Sequence, residues 1–344
     1  MIKYLGSKRR LLGPITTIVR ALPGTERVLD LFSGTSRVGH ALKRAGLRVI
    51  ANDHNAYAHV FARCYVQADR DAVEEQVREG LAVLTAAPPQ RGYFTRMFCE
   101  EARYIHPRNG MRVDGMRRAL HELGAPPDVE AVLLTALVEA ADRVDSTTGV
   151  QMAYLKRWAR RAMSDVELRV PDLTEGRGVA LCMDAVEAAA TVEVDVAYLD
   201  PPYNQHSYLS NYHVWETLVR DDRPEAYGIA RKRVDCRVRK SHFNSKRRIK
   251  AALERVLSVV RARHLVVSFN DEGYITPEDM QALLGEHGEV AMFAFEQDRY
   301  VGAKIGIHDP KGRRVGRVGR LKNQELLFVV SRERDALDAV RAAL

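Results

Sequence analysis

Asp200-Pro201-Pro202-Tyr203 has the narrowest chemical use of any segment in the chain. Its two prolines stiffen the loop and bring no N–H donors, which leaves Asp200 and a prolyl carbonyl as acceptors beside the ring of Tyr203. Such a set suits a planar molecule carrying an exocyclic amine. The bland alternative is a rigid surface turn, and two upstream motifs weigh against it. Val28-Leu29-Asp30-Leu31-Phe32-Ser33-Gly34-Thr35-Ser36-Arg37-Val38-Gly39 runs from an apolar strand through small residues into a helix start. Small residues let a backbone approach a bound nucleotide closely, and a carboxylate at the strand end, Asp30, can take a cationic amine. Asn52-Asp53 closes the next strand about twenty residues on, where a carboxylate can accept from both hydroxyls of a ribose.

The elements that must position these residues follow from the apolar pattern. Strand-like runs recur at Arg27–Leu31, Arg48–Asn52, Val179–Cys182, Val194–Leu199, His264–Phe269, Val290–Phe295 and Glu325–Val330. Helical patterns such as Val38–Ala45 and Ile249–Val260 lie between them, the alternation of a doubly wound α/β sheet. From Gln67 to Gly178 the pattern changes to helices without strands, including Val73–Leu84 and Val129–Asp142, so the segment reads as an insertion. Pro88-Pro89 and Pro126-Pro127 punctuate it, because proline disfavours helical geometry in the residue before it. Near the end, Tyr300–Ile307 and Arg314–Val318 flank a Pro-Gly turn cluster at 308–312, which predicts a hairpin.

Composition sets outer bounds. With 344 residues, 46% hydrophobic and 28% charged, the chain suits one catalytic domain with an insertion. No apolar run approaches the ~18 residues of a membrane span, and no secretory pattern follows the basic first residues, so a cytoplasmic location is expected. Cys64, Cys99, Cys182 and Cys236 are too scattered for a metal knuckle and read as reduced thiols. The formal charge of +8 favours polyanions only where it clusters.

In this order the motifs resemble those of the Dam-type N6-adenine DNA methyltransferases, the α group of the amino-methyltransferases. Lys3-Tyr4-Leu5-Gly6-Ser7-Lys8 is similar to the family's opening Lys-Tyr/Trp-x-Gly-x-Lys segment, and the likeness spans nearly the whole chain. It implies a Rossmann-like, doubly wound methyltransferase sheet of seven strands with the last hairpin antiparallel. It further implies a catalytic domain of residues 1–66 and 179–344 and a target-recognition insertion of 67–178. The implied cofactor is S-adenosyl-L-methionine. Tyr4 and Lys8 would hold its methionine end, with Asp30, Phe32 and Gly34 around its amino acid and sulfonium. Asp53 would take the ribose and Asp184 the adenine, with Cys182 and Met183 in apolar contact; as a helix cap, Asp184 has an alternative use. The implied catalytic set is Asp200, Pro201, Pro202 and Tyr203, acting on an adenine turned out of double-stranded DNA, with no metal. Where the family has glycine two residues past Gly34, this chain has Ser36.

DNA contact is expected from Arg231–Lys250, whose only acid is Asp235, and from Lys311, Arg313, Arg314, Arg317 and Arg320. Arg103, His106, Arg108, Asn109, Arg112 and Arg117 are candidate base readers in the insertion. His206, Tyr208, Asn211, Tyr212 and Trp215 divide between bordering the flipped base and packing a helix. Left open are a cognate restriction endonuclease as partner, a monomer or weak dimer, and nucleoid association. So are methylation of cytosine N4 or of an RNA adenine, and a DNA-binding module without turnover.

Overall fold

A computed structural model describes residues 1–152, 157–271, 273–298 and 322–344. The hairpin predicted over 300–318 and its basic residues lie outside the described residues. Seven strands form one sheet: β1 (Arg27–Asp30), β2 (Arg48–Asn52), β3 (Val179–Leu181), β4 (Glu193–Leu199), β5 (Arg261–Asn270), β6 (Glu289–Asp298) and β7 (Lys322–Ser331). Their spatial order is β3-β2-β1-β4-β5-β7-β6. The first five run parallel, and β7 enters antiparallel between β5 and β6. All seven sequence-predicted strands are therefore present. Strand order reverses at β1, which pairs with β2 on one side and β4 on the other; that reversal opens a crevice beyond the carboxyl ends of the strands.

The central strands read as apolar runs because both their faces are covered. Val28, Val196, Tyr198 and Val266 pack towards helices Leu12–Ala21, Arg37–Arg44 and Arg334–Ala343. Their neighbours Leu29, Ala197, Leu199 and Val267 point the other way, with helices Ala185–Thr191, Ile249–Val259 and Pro277–Gly285.

A third core belongs to the helical segment. Helices Arg70–Ala86, Pro107–Leu123 and Pro127–Arg143 start where the sequence supplies caps: Asp69 and His106 accept from the first turn, and Pro107 and Pro127 occupy it. Their apolar faces bury Leu84, Val113 and Leu133 together with Tyr57, Phe61, Tyr212 and Trp215 from flanking segments. The 66/67 boundary falls inside a π-helical turn, Arg63–Gln67, that continues helix Ala56–Ala62. Among the described residues no helix is long and apolar enough to cross a membrane. All four cysteines are free thiols, and only Cys182 is exposed.

Candidate active site

One cleft occupies the crevice. The carboxyl ends of β1 to β4 deliver Asp30, Asp53, Asp184 and Asp200 to it, while the chain's first residues bring Tyr4 and Lys8. Phe32, Gly34 and Pro202 also line it; Pro201 and Tyr203 do not. Tyr203 packs its ring on Phe269, 5.5 Å between centroids, and lies under the Lys8 ammonium at 5.6 Å.

The glycine-containing loop after β1 is held from two sides. Gly34 has φ +54, and a Cβ there would stand 3.1 Å from the ring of Tyr4, so glycine is required for the aromatic wall to close. Ser36 also takes a left-handed conformation, φ 58, and its hydroxyl pairs with that of Ser33 at 2.8 Å. The family's glycine position is thus filled by a serine whose strain is offset by a local hydrogen bond. Asp30 turns back to accept from Gly39 N–H (2.9 Å) at the start of the next helix. It is 1% exposed, and burial pushes its pKa to about 7.

Asp53 bridges the two loops. Its Oδ2 accepts from Gly34 N–H (3.1 Å), and its Oδ1 accepts from the backbone and side-chain N–H groups of Asn55 (2.9 and 3.0 Å). Asp184 accepts from Val186 N–H and caps helix Ala185–Thr191, so its capping use is realised while it also lines the cleft. Met183 lines the cleft beside it, and Cys182 does not.

At the other end, Asp200 is 3.2 Å from Lys8 Nζ through Oδ1. Lys8 is 4% exposed and is also held by Glu325 Oε2 at 2.8 Å. Its ammonium is thus committed to two carboxylates, a different role from the methionine contact expected. Burial raises the Asp200 carboxyl to about 6, with Lys8 pulling it down and Glu325 pushing it up. Two carboxylates there share one ammonium, and Asp30 lies near enough for Asp200 to push its pKa up, a charge balance that suits a cationic ligand.

The aromatic residues beyond Tyr203 divide. Tyr208 lines the cleft and stacks on Tyr4 at 5.1 Å. Tyr212, 1% exposed, stacks on the same ring at 4.6 Å, while Trp215 and Asn211 are buried and His206 is exposed.

Several residues that line or brace the cleft escaped the sequence reading. Phe243 lines the cleft and packs edge-on against Phe32 at 5.1 Å. Asn244 donates to the carbonyls of Asn204 and His206 (2.8 and 3.1 Å), which fixes the loop after Tyr203. Arg239 donates to His54 O and Glu216 at 3.1 Å. All three lie within Arg231–Lys250, whose charge points to phosphate contact or a solvated helix face; the aromatic Phe243, flanked by polar residues amid the cations, is the signal of a further role.

That segment needs a correction. Arg233 is 3% exposed and bound to Asp222 and Asp235, and Arg231 pairs with Glu101 at 2.7 Å. Lys240, Lys246, Arg247, Arg248 and Lys250 remain exposed. The candidate base readers are corrected likewise. Asn109 is buried and bonded to Ala162 O, Ser164 O and Val166 N; Arg112 donates to Thr85 O and Ala87 O, and Arg117 to Leu218 O. Arg108 binds Met163 O, Arg103 lies over Trp158 and His106 caps its helix. Among the described residues no group of His, Cys, Asp or Glu could hold a metal ion.

Comparison with known proteins places this geometry in a wider setting. A family model described as D12 class N6 adenine-specific DNA methyltransferase matches residues 4–283. Modification methylase StsI of Streptococcus sanguinis is 28% identical over 303 residues, covering 83% of this chain and 46% of that protein. Type II methyltransferase M.FokI of Planomicrobium okeanokoites is 28% identical over 308 residues, 83% of this chain and 47% of that protein. This chain spans about half the length of those two relatives. Type II methyltransferase M.NlaIII of Neisseria lactamica is 28% identical over 315 residues, with 87% and 92% covered.

Proposed function

We propose that this chain, which belongs to the D12 class N6 adenine-specific DNA methyltransferase family, transfers a methyl group from S-adenosyl-L-methionine to N6 of an adenine in double-stranded DNA. The observation that carries the assignment is the position of Asp200 in the cleft. One of its oxygens is tied to Lys8, and the other has no hydrogen bond among the described residues.

The cleft fits the cofactor on two counts: the carboxylate excess near Asp30 and Asp200, and the Gly34 turn, which a Cβ would close against Tyr4. Asp30, Phe32 and Gly34 would hold its amino acid and sulfonium end with Tyr4, Asp53 its ribose and Asp184 its adenine. When bound, S-adenosyl-L-methionine supplies a methyl group already activated by its sulfonium. The free oxygen of Asp200 accepts an N6 hydrogen and draws it off the nitrogen lone pair; the Pro201 carbonyl and the Tyr203 ring, which follow Asp200 but do not line the cleft, would supply a second acceptor and a stacking face once the base is in place. The proton displaced from N6 passes to Asp200, which its burial makes a stronger base than a surface carboxylate. Because N6 is inaccessible in the duplex, the adenine must leave the stack, at a cost of roughly a few kcal/mol.

Residues 67–178 are assigned to target recognition, and the exposed cations Lys246 to Arg248 to DNA phosphates. The type II modification names of the relatives support a cognate restriction endonuclease as a functional partner. The test is Asp200→Ala with duplex DNA and labelled cofactor. Methyl transfer should be lost while cofactor affinity stays within a few-fold, and near-normal turnover would overturn the assignment.

A further inference from the structure

The segment before β1, β4 and β7 meet at a buried network that the methyl-transfer assignment leaves without a purpose. Glu325, on β7, is 5% exposed. Its Oε2 accepts from Lys8 Nζ at 2.8 Å and its Oε1 from Asn270 Nδ2 at 2.8 Å, where Asn270 ends β5. Lys8 in turn reaches Asp200 Oδ1 at 3.2 Å. Two carboxylates sharing one buried ammonium form an expensive arrangement, because removing charge from water is compensated only where every charge is paired and bonded. Holding Lys8 in place needs no second carboxylate, since Asp200 already neutralises it.

We propose that Glu325 is a positioning residue for methyl transfer, acting through Lys8. Asn270 fixes one of its oxygens and the other fixes the ammonium, so Lys8 meets Asp200 from one side only. Asp200 Oδ2 is then left free for the amine. An ammonium on a long flexible stem could otherwise swing to the open oxygen and cover the acceptor that the substrate needs. Loss of Glu325 thus mobilises Lys8 and blocks Asp200 part of the time, a cost in kcat and not in binding.

The inference rests on the assignment of Asp200 as the group that grips the amine, and it is tested with Glu325→Gln in the full chain. Single-turnover methyl transfer on duplex DNA should slow by tenfold or more, while KM for DNA and the cofactor dissociation constant stay within about twofold. A second readout is the acid limb of the rate profile. Asp200 serves as acceptor only when ionised, so activity falls as pH drops through its pKa. It is faced by Lys8, Glu325, Asp30, Tyr198, Tyr203 and Tyr208. Of these, Glu325 pushes its pKa up, so the limb should move to lower pH in the variant. Asn270→Ala loosens Glu325 without removing a charge; it should slow transfer less and leave the limb in place, and it keeps the question open to measurement if Glu325→Gln does not fold. A normal rate and unmoved limb in Glu325→Gln, or a loss confined to cofactor affinity, would overturn the proposal. If Asp200→Ala is inactive while Glu325→Gln is normal, only this inference falls. If Asp200→Ala retains turnover, the parent assignment falls with it.

Discussion

Replacing Asp53 tests how the cleft holds its cofactor. An ionised carboxylate offers about four acceptor positions. Three are taken: Gly34 N–H uses one on Oδ2, and the two Asn55 donors fill both on Oδ1. One position on Oδ2 remains, so Asp53 can take one ribose hydroxyl where the sequence motif suggested two. A charge-assisted hydrogen bond of this kind is worth ~1.5–3 kcal/mol. At 1.4 kcal/mol per tenfold, Asp53→Ala should weaken S-adenosyl-L-methionine by about 10- to 150-fold, measured by titration calorimetry without DNA. The wild type should also discriminate between cofactor analogues lacking one or the other ribose hydroxyl, losing affinity for one of them only. In Asp53→Ala that discrimination should vanish, because the two perturbations remove the same bond. A folded Asp53→Ala protein that binds the cofactor within twofold of the wild type would refute the assignment, and equal losses for both analogues would refute the count of acceptor positions.

Gly34→Ala must place a Cβ at positive φ, 3.1 Å from the Tyr4 ring; it should cost ~1–2 kcal/mol of stability and lower cofactor affinity several-fold in calorimetry. Ser36→Gly relieves a left-handed serine but loses its bond to Ser33, so thermal unfolding should shift by no more than about 1 kcal/mol. Asp30 has its folded pKa raised to about 7, so its contribution to stability is present at acid pH and lost as pH rises through about 7. Asp30→Asn should therefore raise the melting temperature of the cofactor-free protein at pH 8 while weakening cofactor binding; a lowered melting temperature there would contradict the sign. Neutralising the exposed Lys246, Arg247 and Arg248 together should reduce the slope of log affinity against log salt by about 2.7, at roughly 0.9 per phosphate, and leave preference for the true site over a one-base variant unchanged. Lost preference at an unchanged slope would assign these side chains to base reading.

Most of the parallel strands were legible because each is an apolar run with a polar or acidic residue at or just past its end at the crevice; β3 runs on through Cys182 and Met183 before Asp184. Asp30, Asp53 and Asp200 could be placed in one site from sequence for that reason: strand ends at a reversal of strand order converge whatever the loops between them do. Partners supplied from distant elements were not legible. Nothing local to Arg233 announces that Asp222 will bury it, and nothing in Lys8 points to Glu325, more than three hundred residues away. The same limit explains the insertion. Arg112 and Arg117 look like free cations on a helix, yet each is absorbed by backbone carbonyls at the ends of neighbouring helices, a use that depends on how helices pack and not on how they are spelled.

The segment Ile2–Lys8 ties these separate parts into one frame. Ile2 is buried in the core of the helical segment, and Lys3 binds Asp142 and Asp145 at the end of its last helix. Tyr4 stacks on both Tyr208 and Tyr212 and shares a hydrogen bond with Tyr57; Leu5 is gripped by the hydroxyls of Tyr212 and Tyr208. Lys8 then reaches Asp200 and Glu325. Successive residues of one short strand of chain therefore contact the helical segment, the cofactor cleft and the acceptor carboxylate in turn. Because every link is buried or part-buried, a shift of the helices against the sheet would break several of them at once. On the proposed assignment of recognition to the helical segment and of the amine to Asp200, the two would share a fixed geometry, and the movement needed for catalysis would fall on the DNA.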